Sequence, residues 1–228
     1  MNHKQIQAVL FDLDGVLIDS EKIYNQCWVR AAQQQGFIMT REQALLLRSL
    51  DRQLAQQLFN QWYSDERAYN VIRTTRKQLM KEFLATHPLS LKPGVHRILP
   101  YLKKLHFKLA IVTASNFEEV TKYIKDMGIS HYFDHVISTK SVVRGKPFPD
   151  VYLYACSKLN INPSACIALE DSPNGVQSAH AAGCYTVMIP DLSPYSPNLK
   201  SYVDVWYQNL EEFLTQGIMT KARSNADK

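Results

Sequence analysis

Asp12 and Asp14 stand one leucine apart, are followed by Gly15, and are preceded by an unbroken apolar run over residues 8–11. Two carboxylates this close repel each other, and both stay ionised only where a cation or strong hydrogen-bond donors sit between them. Magnesium suits such a pair, because it takes hard oxygen ligands and needs only one or two carboxylates beside substrate oxygens. A carboxylate at such a site can also attack phosphorus as a nucleophile. Three further clusters carry compatible chemistry. Thr113-Ala114-Ser115-Asn116 follows an apolar run at 109–112 and precedes a helical pattern, so its hydroxyls and backbone N–H groups suit an anion such as phosphate. Gly145-Lys146-Pro147 offers a lysine as a fixed positive charge, and Glu170-Asp171-Ser172 follows the apolar run 167–169 with two more carboxylates. A nucleophile, an anion cradle, a cation and an acidic metal site are together the parts of a phosphoryl-transfer centre.

For these clusters to meet, each must end a strand on one edge of a sheet. The run 8–11 reads as a buried parallel strand, with its aspartates at the carboxyl edge where open α/β sheets keep their ligands. From Leu91 onward strands and helices alternate: helix 94–105 with Pro100 as a kink, strand 109–112, helix 117–127 stopped by Gly128, strand 135–138, helix 149–159, strand 167–169, helix 176–182 ended by Gly183, and strand 186–189. This alternation predicts an α/β fold with a Rossmann-like, doubly wound parallel sheet. Residues 20–87 differ: they are rich in Gln, Arg and Leu, with one glycine and no proline. There Ser20 is expected to cap a helix from Glu21, Thr40 with Gln43 forms a capping box, Asp51 caps a third helix, and Ser64 opens a long fourth that closes at His87-Pro88. The expected organisation is a core of 1–18 and 89–217, an inserted all-helical block at 19–88, and a polar, disordered tail at 218–228.

Composition narrows the function. Of 228 residues, 46% are hydrophobic and 21% charged, the balance of a soluble globular protein. No segment approaches the roughly 20 apolar residues of a membrane helix, and the N-terminus carries no signal-peptide apolar region. Cys27, Cys156, Cys166 and Cys184 are scattered without CxxC spacing, so a cytoplasmic location with reduced, buried thiols is expected. The net charge of +5 is spread along the chain without a dense basic tract, which argues against nucleic acid and suits a collector of small anions. His131 and His135 read as structural, and Trp28, Phe59 and Trp62 as packing within the helical block.

DLDGVLIDSE, IVTAS, GKPFPD and ALEDSPNGVQSAHAAG stand in an order and spacing that resembles the haloacid dehalogenase superfamily, in its β-phosphoglucomutase-like phosphatase branch with a helical cap. The resemblance implies Asp12 as nucleophile and magnesium ligand, and Asp14 as general acid/base with its backbone carbonyl on the metal. It implies Thr113, Ala114, Ser115 and Lys146 around the transferring phosphoryl group, and Asp171 with Glu170 on magnesium. Residues 19–88 become a cap closing over the site, with Glu21, Tyr24 and Arg48 expected to touch substrate. An acid at Asp14 favours phosphate esters, whose leaving alkoxide needs a proton. The chain departs from the mutases, which carry histidine at the position of Tyr24 and a K/R-G pair at Arg48-Ser49. The expectation is therefore a monomeric, magnesium-dependent phosphomonoesterase acting on a small phosphorylated metabolite, with a dimer as the alternative assembly. A phosphomutase and a non-catalytic binding protein on the same scaffold are the alternative functions.

Overall fold

The computed structural model describes residues 6–218. Six strands are found among them: β1 Ala8–Phe11, β2 Lys108–Thr113, β3 His135–Ser138, β4 Cys166–Glu170, β5 Tyr185–Met188 and β6 Val205–Trp206. They form one parallel sheet in the order β3-β2-β1-β4-β5-β6. The helices α1 Glu21–Gln34, α2 Arg41–Leu46, α3 Arg52–Trp62 and α4 Ala68–Thr86 all fall between β1 and α5, Val95–Lys104. Four more follow: α6 Phe117–Asp126, α7 Asp150–Leu159, α8 Pro173–Ala181 and the short α9 Leu210–Glu212.

The period-two alternation of a strand sorts side chains onto the two faces of the sheet. Val9, Phe11, Leu109, Ile111, Ile167 and Leu169 pack with α5 and α6. Ala8, Leu10, Ala110, Val112, Cys166 and Ala168 pack with α7 and α8. The second face carries the smaller side chains, so α7 and α8 meet a thinner layer there. The doubly wound arrangement is the one the alternating sequence predicts, and the first strand is central, paired with β2 on one side and β4 on the other.

Helices α1–α4 pack around a separate apolar cluster centred on Phe59, whose ring lies against Trp28, Trp62, Tyr63 and Tyr69. The capping box at Thr40–Gln43 and the Asp51 cap both form. Two expected starts differ. Ser64 does not open α4, which begins at Ala68 after Asp65 has captured the Arg67 N–H. Ser20 precedes α1 but gives it no side-chain cap, because its hydroxyl is engaged in the site below. Helix α8 starts three residues earlier than predicted, since Pro173 fits a first helical turn and the Ser172 Oγ accepts the Gly175 N–H. Strand β6, only two residues long, carries too little pattern to read from sequence. The disordered tail expected at 218–228 lies outside the described residues except for Ile218, which closes a π-type turn from Phe213. Among the described residues no helix is long and apolar enough to cross a membrane.

Candidate active site

Strand register brings the acidic clusters together. Phe11 pairs with Leu169, so Asp12 and Glu170 are neighbours one step further on, and the Asp12 N–H donates to the Leu169 carbonyl at 2.9 Å. By parity both side chains fall on the face that carries α7 and α8. Lys146 enters between them: its Nζ donates to Asp12 Oδ1 at 2.5 Å, Glu170 Oε1 at 2.6 Å and the Val112 carbonyl at 3.0 Å. All three ammonium hydrogens are thereby used, and the side chain is fully buried. Burial works against the ammonium, but the charges of Asp12 and Glu170 outweigh it and hold Lys146 above the ordinary lysine range. Lys146, expected beside the transferring phosphoryl group, stands between the two carboxylates that share this edge.

Asp14 is held differently. Its Oδ1 accepts the Ser20 hydroxyl at 2.5 Å and its Oδ2 the Ser115 hydroxyl at 2.6 Å. Burial pushes its carboxyl above the usual range while the two hydroxyls pull it back. Ser115, expected on phosphate, therefore spends its hydroxyl on Asp14, and its N–H donates to Thr113 Oγ1 at 3.0 Å. Thr113 is fully buried at the end of β2, and Ala114 follows it on the wall of the cavity.

Asp171 lies beside Gly15, which adopts φ +85°; a Cβ there would stand 2.4 Å from Asp171 Oδ2. Only glycine allows both the backbone turn and that approach. Gly175 plays the same part under Glu170, where a Cβ would meet Oε2 at 1.9 Å. Gly175→Ala is expected to displace Glu170 and cost about 1–3 kcal/mol of stability, read as a lowered thermal midpoint; an unchanged midpoint would show that Glu170 has room to move.

Asp12 Oδ2, Glu170 Oε2 and Asp171 Oδ1 are all buried and have no hydrogen-bond partner. The three residues offer oxygens within 4.8 Å of one another. Unpartnered buried carboxylate oxygens are costly, and a hard divalent cation is what satisfies a set made only of oxygens. The residues present thus fit a magnesium-type ion.

The helical block covers this edge. Asp51 accepts the Gly145 N–H at 2.8 Å and donates its own N–H to the Lys146 carbonyl, while Asn174 reaches the Arg48 carbonyl at 2.8 Å. Arg48, expected on substrate, is buried and donates from a terminal nitrogen to Asp171 Oδ2 at 2.8 Å. Glu21 is buried nearby, its carboxyl pushed well up by burial and by the negative charge of Asp171. Tyr24 faces a cavity of about 1100 Å³ between block and sheet, which Asp14, Glu21, Arg48 and Ser115 also line. Sequence reasoning missed Tyr152, whose hydroxyl donates to Glu170 Oε1 at 2.5 Å, because a tyrosine on the apolar side of α7 looks like packing.

A parallel sheet with carboxylates on its carboxyl edge, a buried lysine between them and a helical cover defines a class of α/β hydrolytic enzymes. The family model described as haloacid dehalogenase-like hydrolase matches residues 9–189, and the chain belongs to that family. It is 28% identical over 182 residues to the phosphorylated carbohydrates phosphatase of Thermotoga maritima, covering 78% of this chain and 82% of that one. Hexitol phosphatase B of Escherichia coli is 27% identical over 221 residues, covering 95% and 98%. The crystal structure of β-phosphoglucomutase from Clostridium difficile superposes with a TM-score of 0.79 at 20% identity, covering 98% of this chain and 100% of that one, which shows a shared fold.

Proposed function

We propose that the chain is a magnesium-dependent phosphomonoesterase that cleaves a small phosphorylated carbohydrate or similar metabolite through an aspartyl-phosphate on Asp12. The observation that carries this reading is the state of Asp12: one oxygen fixed by Lys146 and the other buried without a partner, two residues from an acid already engaged by two hydroxyls. The phosphatase names of relatives spanning most of the chain support the substrate class.

Asp12, Asp171, the Asp14 carbonyl and Glu170 would hold a magnesium ion, which would supply positive charge against the phosphoryl oxygens. Lys146 favours the ionised form of Asp12 against the effect of burial and aims the carboxylate. An oxygen of the Asp12 carboxylate forms a bond to phosphorus as the ester P–O bond breaks, and Asp14 gives its proton to the leaving oxygen. Asp14 then takes a proton from water, which attacks the phosphorus of the aspartyl-phosphate, frees inorganic phosphate and restores the Asp12 carboxylate. Residues 19–88 act as a cap that excludes bulk water during these steps, with Glu21, Tyr24 and Arg48 facing substrate. Tyr24 stands where the mutases carry histidine, which favours transfer to water over return to the sugar.

Incubation with a hexose 1-phosphate and magnesium should release phosphate and free sugar in equal amounts. Isomerised sugar phosphate without free phosphate would overturn hydrolysis in favour of a mutase. Excess EDTA should lower turnover by at least about 100-fold, and undiminished turnover would remove the metal from the mechanism.

A further inference from the structure

The cap wall of the cavity carries more positive charge than the catalytic reading uses. Arg73, Arg76 and Lys77 fall at the i, i+3 and i+4 spacing on α4, hence on one side of that helix, and all three line the cavity. Among the described residues none of them takes part in an ion pair. Three other cations on the same cavity have partners: Arg48 is paired with Asp171, Lys122 with Asp126, and Lys140 Nζ donates to Asn116.

The three charges are close enough to oppose one another. Lys77 is held below the ordinary lysine range, first by Arg73, then by burial and by Arg76. Burial likewise lowers Arg76, with Arg73 adding to it. Glu119 on α6 attracts both Arg76 and Lys77 but forms no ion pair with either. A solvated helix face does not explain Arg76. Its guanidinium stands 5.2 Å from the Tyr24 ring centroid and 5.1 Å from that of Trp28, and its Nε is buried with no hydrogen-bond partner. A cation–π contact engages the charge of a guanidinium without using its N–H donors, which stay available to a planar or tetrahedral oxyanion.

Position supplies the rest. The charge of Arg76 reaches Asp14, and Tyr24 interacts with both. In the phosphatase reading Asp14 protonates the leaving oxygen, so the remainder of the substrate extends from Asp14 into the space below Arg76. We infer that Arg76, flanked by Arg73 and Lys77, receives a second anionic group on the leaving portion of the substrate, a carboxylate or a second phosphate. This assignment rests on the phosphatase reading and makes the substrate doubly anionic rather than a simple sugar monophosphate.

Two matched pairs of esters test it with the intact enzyme and magnesium: 3-phosphoglycerate against glycerol 3-phosphate, and fructose 1,6-bisphosphate against fructose 6-phosphate. The first pair asks for a carboxylate, the second for a phosphate. In at least one pair kcat/KM should favour the doubly anionic member by about tenfold or more, equivalent to about 1.4 kcal/mol. Arg76→Gln should remove most of that preference and Arg76→Lys should keep part of it. The double variant Arg73→Gln/Lys77→Gln, which leaves the contacts of Arg76 with Tyr24 and Trp28 in place, should weaken it and serves if Arg76→Gln does not fold. Equal kcat/KM within both pairs, with phosphate released briskly, overturns the second-anion site and leaves the phosphatase reading standing. A preference that survives both Arg76→Gln and the double variant removes these residues from the role. No release from any of the four esters overturns both readings.

Discussion

Asp12→Asn should abolish phosphate release and leave the fold standing. The amide keeps the size of the carboxylate, and its carbonyl oxygen can still accept from Lys146 as Asp12 Oδ1 does at 2.5 Å. What disappears is the second oxygen as a nucleophile and the negative charge it shares with the metal site. Removing a covalent nucleophile typically costs 10⁴-fold or more in turnover, so the expected loss is at least about 10⁴-fold. Lys146 retains Glu170 as a counter-charge at 2.6 Å, so no unpaired ion is created in the interior. The thermal midpoint should therefore stay within about 3 °C of the parent, since roughly 1 kcal/mol moves a chain of this size by about 2–4 °C. Phosphate release with magnesium and a thermal melt on the same preparation check the two halves. Turnover within about 100-fold of the parent would take Asp12 out of the nucleophile role.

The parts of this molecule that follow from local pattern were legible before any coordinates. The parallel sheet is written as short apolar runs between helical periods, and strand alternation fixes which face each residue takes. Because parallel strands end together, clusters that follow apolar runs had to gather on one edge; Asp12, Thr113 and Glu170 do so for that reason. What pattern cannot reveal is partner choice among side chains brought from afar. Ser20 has the residue type and position of a helix cap, yet a buried carboxyl six residues back offers a better partner than an exposed helix end. Ser115, expected near phosphate, donates its hydroxyl to the same carboxyl, a contact that no local pattern announces. Arg48 was expected to touch substrate, but its pairing with Asp171 spans 123 positions and has no local signature. Arg73, Arg76 and Lys77 share the helical spacing of any solvated face, and only the contact of Arg76 with Tyr24 and Trp28 distinguishes them. Gly175 reads as an ordinary loop glycine until Glu170 is seen against its Cα.

Lys146→Met has the largest expected effect on stability. Methionine fills a similar volume without charge, so Asp12 and Glu170 remain buried, adjacent and without their shared cation. Removing one partner from a buried ion pair leaves an uncompensated charge and costs about 3–5 kcal/mol, more than most single substitutions. The midpoint should fall by about 10 °C. Two ways of replacing the lost charge separate this cause from a packing defect. Magnesium should raise the midpoint of the variant more than that of the parent, because the free oxygens of Asp12, Glu170 and Asp171 already converge. A proton should act in the same direction. Burial holds the Asp12 carboxyl well above its ordinary range even with Lys146 beside it, and removing the ammonium raises it further. A carboxyl whose folded value exceeds its unfolded one stabilises the fold at low pH and loses that contribution as pH rises. The destabilisation of Lys146→Met should therefore deepen between about pH 5 and pH 8. A loss of the same size at both pH values, unmoved by magnesium, would mean that the methionine simply packs badly and that Lys146 is not the cation on which the two acids depend.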